Sequence, residues 1–330
     1  MTSLSGKPVH IAGAGVIGLS LAAELVGDGA RVTVFDPEPV GRASAVAAGM
    51  LAPVFESILD PASSDSFELL MAARNLWPDF ARRHGIALDR CGATYQGRRL
   101  AHARAVLSAR GLTFEARGEG LFTPDDWRLD ARPALERLRA SAEQGGAVFV
   151  NERLEAPAPG TLTVIATGSS PFNTAPETAL ITAIKGQIIH VIRTPLTRRA
   201  DGPVERRDGG YIAPGRDGAR VGATMQPGES DLSPDPAIEA IVPGAFPELI
   251  SADALGSVET GIRGATPDGL PLVGPSARSG VWLAMGMRRN GWLLAPLVAS
   301  TIRAYLAGDD PGPWAERLDA RRFTAPDLEE

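Results

Sequence analysis

The stretch from Val9 to Asp36 constrains the fold more than any other part of the chain. "VHIA" (Val9–Ala12) is a short apolar run that reads as a buried strand. "GAGVIG" follows and sets Gly13, Gly15 and Gly18 in GxGxxG spacing. From Val16 to Val26 the apolar residues recur with helical spacing, so that Ile17, Leu21 and Leu25 share one face. "ARVTVFD" (Ala30–Asp36) is alternating and β-branched, a second strand that ends in an acid. Strand, glycine turn, helix and acid-terminated strand make the βαβ unit that binds dinucleotides. In that reading Gly13 permits the turn, Gly15 admits a pyrophosphate close to the backbone, and Gly18 lets the helix approach the sheet. N–H groups at the helix start, around Ala14, Val16 and Ile17, attract phosphate oxygens. Asp36, followed by Pro37, accepts hydrogen bonds from the adenosine ribose. An ordinary glycine turn beside an edge Asp is the competing reading, and the assembled context disfavours it. The fingerprint alone does not separate NAD from FAD.

Composition narrows the class. The chain has 330 residues, enough for two domains, and its net charge of −6 with no basic run disfavours a nucleic-acid partner. The single cysteine, Cys91, excludes an internal disulfide and a thiolate metal cluster, and fits a reducing, cytoplasmic setting. His10, His84, His102 and His190 lie far apart without ligand spacing, so no metal site is expected. Met1–Pro8 lacks an apolar signal core, and no apolar run is long enough to span a membrane.

Further along, Ser66–His84 and Ala131–Gln144 read as helices, and Leu293–Leu306 as a closing helix with Pro296 in its first turn or at a kink. Ala147–Leu154, Thr161–Gly168 and Lys185–Ile192 read as strands. Tyr211–Pro214 and Arg220–Thr224 pair as a hairpin across Asp217-Gly218. Cys91–Asp126 is mixed. Elements alternate early and late around a sheet-rich middle. This predicts an α/β fold in which a nucleotide domain is interrupted by a second domain built on an antiparallel sheet.

Several stretches, in order, resemble the D-amino-acid oxidase superfamily, nearest its glycine oxidase branch, FAD enzymes linked to thiamine biosynthesis. They are "ASAVAAGMLAP", "WRLDARPAL", "VIATGSS", "IKGQII", "YIAPGRDGARVGATMQPG", "GIRGATPDGLPLVG" and "GMRRNGWLLAP". The resemblance spans nearly the whole chain. It implies an FAD-binding Rossmann-like domain of glutathione-reductase type over residues 1–75, 128–172 and 262–330, and a substrate-binding domain over 76–127 and 173–261. It also implies non-covalent FAD, oxidation of a small amino acid or amine by hydride transfer to flavin N5, reoxidation by O2 to hydrogen peroxide, and homo-oligomers. The chain departs from the family at Gly264, where Pro is usual, at Met287 and Arg288, and in the short segment 91–126. All three departures are expected on the substrate side.

Site residues follow from the same resemblance. Ala43, Ser44, Ala48, Gly49 and Met50 would lie against the flavin, Leu154 near adenine, and Thr167 and Gly168 by the phosphates or ribose. Gly286, Met287, Arg288, Arg289, Asn290, Gly291, Trp292 and Leu293 would offer N–H groups to the flavin pyrimidine edge. Arg263 would clamp a substrate carboxylate, with Tyr211 and Arg289 assisting and Met225 and Met50 lining the pocket. No side chain is required as a general base. A dehydrogenase with a non-oxygen acceptor, an FAD-binding protein without turnover and an NAD-dependent enzyme are the competing readings.

Overall fold

The computed structural model describes residues 3–191, 202–215, 218–236, 238, 244–246 and 255–323. The opening βαβ unit forms as its sequence predicts, with a strand at Pro8–Ala12, a helix at Val16–Gly27 and a strand at Arg31–Phe35. The glycine spacing has a steric cause at both ends. A Cβ on Gly13 would stand 2.4 Å from the Ala166 carbonyl oxygen, and one on Gly18 would stand 1.9 Å from that of Gly13. Around the unit lies a six-stranded sheet in the order Leu272–Pro275, Val281–Met285, Leu162–Ile165, Pro8–Ala12, Arg31–Phe35, Val148–Val150. All neighbours are parallel except the hairpin of the first two. The strand expected over Ala147–Leu154 is shorter because Asn151, Glu152 and Arg153 are solvent-exposed and leave the sheet.

Two helices seal this sheet. The closing helix runs Gly291–Ala307, slightly longer than its apolar run, and continues through Pro296 in its second turn. It packs against Val16–Gly27 and against Phe67–His84. Trp77, on Phe67–His84, is fully buried against the closing helix, and its Nε1–H donates to the Leu293 carbonyl at 3.1 Å. The expected boundary between residues 75 and 76 falls inside Phe67–His84, yet Trp77, Phe80 and Ala81 join the same core as Leu69, Leu70 and Ala73. Packing therefore carries the helix past the expected boundary with the nucleotide sheet, while Phe67 at its start packs in the second core with Val54, Phe55 and Tyr95.

The second sheet is organised by the long strand Thr182–Val191, which pairs antiparallel with Leu255–Ala265, Gly218–Gly222 and Gln226–Pro227. The hairpin forms in the register Tyr211↔Gly222 and Gly215↔Gly218; Asp217 of its turn lies outside the described residues. Val204–Arg207 then joins Ala93–Gln96 in a parallel pair, so the sheet is mixed rather than wholly antiparallel. The segment that was hard to read supplies Ala93–Gln96, Glu115–Arg117, Gly120–Thr123 and the helix Leu100–Ala109. A small sheet of Met50–Leu51, Trp127–Leu129 and Leu88–Asp89 lies beside them. Among the described residues, no helix is long and apolar enough to cross a membrane.

Trp77 and Leu76 test this core directly. Trp77→Ala is expected to lower unfolding free energy by about 3–5 kcal/mol in urea titrations. Leu76→Ala, at an exposed position of the same helix, is expected to change it by no more than about 0.5 kcal/mol.

Candidate active site

Where the first glycine turn, the segment around Ala43 and the loop before the closing helix converge, a cleft of about 620 Å³ opens. Of the residues singled out from sequence, Gly13, Gly15, Val16, Ile17, Asp36, Ala43, Ser44, Thr167, Gly168, Gly286, Met287, Arg288, Arg289, Gly291 and Trp292 line it. Pro37 and Leu154 line a side cavity of about 120 Å³ that shares Asp36 and Thr167 with the main cleft. Ala48, Gly49, Met50, Tyr211 and Met225 surround an inner chamber of about 70 Å³, together with Arg263 and Arg289, which also reach the main cleft. Ala14, Gly18, Asn290 and Leu293 stand behind these surfaces. The N–H groups of Arg288 and Asn290 already donate to Gly264 and Met287 carbonyls, so the expected row of free N–H groups at 287–293 is interrupted.

The main cleft fits a dinucleotide on local geometry. Gly15 caps the helix Val16–Gly27 with no side-chain hydrogen bond, and a Cβ there would meet only the Ser44 hydroxyl, at 3.4 Å. A Cβ on Gly168 would meet nothing within 4 Å. Both face space that a phosphate can enter, and Gly15 does so at the positive end of the helix Val16–Gly27. The Ser44 hydroxyl accepts the Val16 N–H at 3.0 Å, which holds it at that entrance. Asp36 is buried and takes N–H groups of Ala14 and Glu38 and the guanidinium of Arg42. A carboxylate has about four lone-pair sites, so one acceptor position remains for a ribose hydroxyl. Cys91 does not line the cleft, and burial raises its thiol pKa, which disfavours thiolate chemistry there. No group of three or more metal-binding side chains occurs among the described residues.

The inner chamber is governed by guanidinium groups. Arg263 sits on Leu255–Ala265 opposite Ile184, and its Nη1 donates to the Thr224 carbonyl and contacts Met225 Sδ, both at 3.2 Å. A Cβ on Gly186 would stand 2.1 Å from that Nη1, so the absence of a side chain there makes its seat. Burial pushes the Arg263 pKa down, and no carboxylate among the described residues pairs with it. Arg289 differs from expectation. Its Nε lies 2.9 Å from Glu56, whose other oxygen accepts Arg206 Nη1 at 3.1 Å. Burial opposes ionisation of Glu56, yet Arg289 and Arg206 hold its carboxyl below the usual range. Burial raises the Tyr211 phenol, against the pull of Arg263, so it enters the chamber as a protonated donor.

The departures from the family pattern fall elsewhere than expected. Gly264, Met287 and Arg288 line the main cleft, and no residue of 91–126 lines the chamber. A Cβ on Gly264 would meet the Gly168 carbonyl oxygen at 2.6 Å, so the glycine lets this strand pass close to the phosphate-side loop. Arg288 is tied to Asp60. Arg42, Glu56, Gly186 and Arg206 were missed from sequence. Glu56 alone carried a signal, as a single acid inside the apolar helix "PVFESIL".

Asp126 anchors that helix. Its carboxylate accepts Val54 N–H at 2.8 Å and Phe55 N–H at 3.1 Å. Burial nevertheless pushes it up to about 6, against Arg206 and the two N–H groups. A carboxyl raised in the folded state is stabilising when protonated, and that stability is lost as pH rises through the folded pKa. Relative to Asp126→Asn, the protein is expected to lose about 2–3 kcal/mol between pH 4 and pH 6 and nothing more above pH 7. Urea unfolding of both proteins across this range at fixed ionic strength measures the difference; a flat difference curve would show a carboxylate ionised throughout.

A family model described as FAD dependent oxidoreductase, DAO, matches residues 9–304. The bifunctional protein ThiO/ThiG of Trichormus variabilis is 29% identical over 369 residues, which covers 96% of this chain and 55% of that protein. Glycine oxidase of Pseudomonas putida is 35% identical over 117 residues, 32% of each chain. The chain spans about half the length of the ThiO/ThiG relatives. Glycine oxidase from Geobacillus kaustophilus has the same fold, with a TM-score of 0.78 at 22% identity over 97% of this chain and all of that one. Iminodiacetate oxidase from Chelativorans sp. BNC1 reaches 0.80 at 20% identity, over 94% and 98%. The match over residues 9–304, on a fold whose cleft fits the cofactor, places this chain in the DAO family of FAD-dependent oxidoreductases.

Proposed function

We infer that the protein oxidises a small amino acid or amine that carries a carboxylate, with release of an imine and reoxidation by O2. One observation carries this reading: a recessed guanidinium, Arg263, opens on a small chamber next to the dinucleotide cleft and has no carboxylate of its own among the described residues. A buried charge without a counter-ion is costly, and a substrate carboxylate removes that cost on binding. The planar fork of Arg263 suits two-point contact, and the Tyr211 hydroxyl adds a donor on the same wall. Arg289 lends positive potential while Glu56 fixes its position. Met50 and Met225 supply soft apolar walls. The chamber is small beside the cleft, about 70 against 620 Å³, which favours a substrate with little or no side chain. FAD, when bound, accepts the two electrons and the hydrogen from the substrate α-carbon. Holding that carbon in place is the contribution of the chamber, and it requires no dedicated base. The glycine oxidase and iminodiacetate oxidase neighbours, and a match that runs over 96% of this chain to about half of a ThiO/ThiG protein, support the substrate class.

The test uses the purified holoprotein with glycine, sarcosine and D-amino acids, first without oxygen and then in air. Anaerobic bleaching of the flavin and aerobic hydrogen peroxide are the expected results. Arg263→Ala should keep its flavin spectrum and lose about 2–5 kcal/mol of substrate binding, thirtyfold or more in half-saturation. A flavin that stays oxidised with every amine, or an Arg263→Ala protein with unchanged half-saturation, would overturn the reading.

A further inference from the structure

A second cleft, of about 550 Å³, lies behind the chamber and plays no part in the arrangement above. Among the described residues, Ala48 is the one residue that lines both. The sheet beneath them is continuous. Side chains two apart on a strand point to the same face. On three strands such a step leads from chamber to cleft: Ile188 to His190, Tyr211 to Ala213, and Gly261 to Glu259. The first two registers agree, with Ile188 and Tyr211 both opposite Gly222, and His190 and Ala213 both opposite Arg220; on the third strand Gly261 lies opposite Gly186 and Glu259 opposite Ile188, so the step there falls two residues nearer the chamber. One floor therefore runs under both spaces. The partition above it is the segment around Ala48, whose side chain is a single methyl group and is partly exposed.

Among the described residues the chamber borders the main cleft on one side and the second cleft on another. It shares Ala43, Ala47, Arg263, Arg289 and Trp292 with the main cleft, and a dinucleotide filling that cleft closes this side. The second cleft carries four arginines, Arg90, Arg128, Arg132 and Arg220, against three carboxylates. Arg128 is paired with Asp89, and Arg132 and Arg220 share Glu259. Arg90 is exposed, lies over the Trp127 ring at 4.6 Å, and has no carboxylate partner among the described residues. In a chain of net charge −6, an arginine majority at one cleft is a local reversal of sign that draws small anions.

We propose that this second cleft is the vestibule through which the carboxylate substrate reaches the chamber, with its arginines drawing the anion in and Ala48 forming the gate. The proposal rests on the carboxylate reading of the chamber. Acetate, a carboxylate that cannot be oxidised there, is the probe. Its binding to the holoprotein is followed by stopped-flow through the change in flavin absorbance. Arg90→Glu combined with Arg132→Glu alters two exposed positions away from the chamber. That variant is expected to slow acetate association about tenfold at ~10 mM ionic strength and less than about twofold at ~0.5 M, where the Debye length is only a few ångströms. Ala48→Leu is expected to slow acetate association severalfold at both salt concentrations, as a narrowed gate does. Equal slowing of the charge variant at both salt concentrations, unaltered rates in both variants, or a change in Kd without a change in association for Ala48→Leu overturns the route. In all three cases wild-type binding leaves the carboxylate reading intact. Failure of acetate to perturb the wild-type flavin overturns that reading and the route with it.

Discussion

Three guanidinium groups, those of Arg206, Arg263 and Arg289, lie around the inner end of the cleft, and Glu56 pairs with two of them. The rest of the site follows from this imbalance. Glu56 is held in place because the helix Pro53–Leu59 begins on the Asp126 carboxylate, and because that helix is buried along most of its length. Arg289 is thereby drawn to the edge of the chamber rather than into it. Arg263 is left without a paired carboxylate among the described residues. Its seat is made by a glycine, so even a methyl at position 186 would displace it. A fold that satisfies two cations and leaves a third exposed to a small chamber has stored a binding preference for an anion.

The nucleotide half of this arrangement was legible in the sequence because its parts are local. The turn, the helix and the acid at Asp36 lie within one short stretch; Gly18 meets the carbonyl of Gly13 inside that stretch, and although the obstacle at Gly13 is the distant Ala166 carbonyl, the GxGxxG spacing already marks the position. The charge network was not legible for the opposite reason. Glu56 and Arg206 are 150 residues apart in sequence, and nothing local marks either as a partner of the other. Arg206 and Arg207 are adjacent and look alike in sequence. Strand alternation turns the first to Glu56 and the second toward the carbonyl of Ala245. Arg42 was hidden for another reason: it is near Asp36 in sequence but reads as an ordinary loop cation until the turn after the strand brings it to that carboxylate.

The departure at Gly264 shows how a sequence feature can be noticed correctly and located wrongly. Adjacent to Arg263, it was expected on the substrate side. On a strand, however, neighbours point to opposite faces. Arg263 lines both chamber and cleft while Gly264 abuts Gly168 and Ile181, on the cleft side. The substitution therefore concerns how closely two backbone segments approach beside the cofactor cleft, and it leaves the guanidinium where Gly186 seats it.

The same geometry bears on selectivity. A neutral amine in the chamber would leave Arg263 desolvated and without a counter-charge, whereas a carboxylate-bearing amine would satisfy it. Sites built around a charged or polar group reject analogues that lack the matching group far more strongly than apolar pockets reject a missing methylene. The walls around Arg263 combine small or flexible groups, Gly186, Ala223, Gly261, Met50 and Met225, with the bulkier Ile188, Tyr211 and Trp292. They fix little about the remainder of the substrate beyond its size. Discrimination in this enzyme should thus rest on the carboxylate first and on volume second, because one interaction is charged and desolvated while the others are soft contacts that give way at small cost.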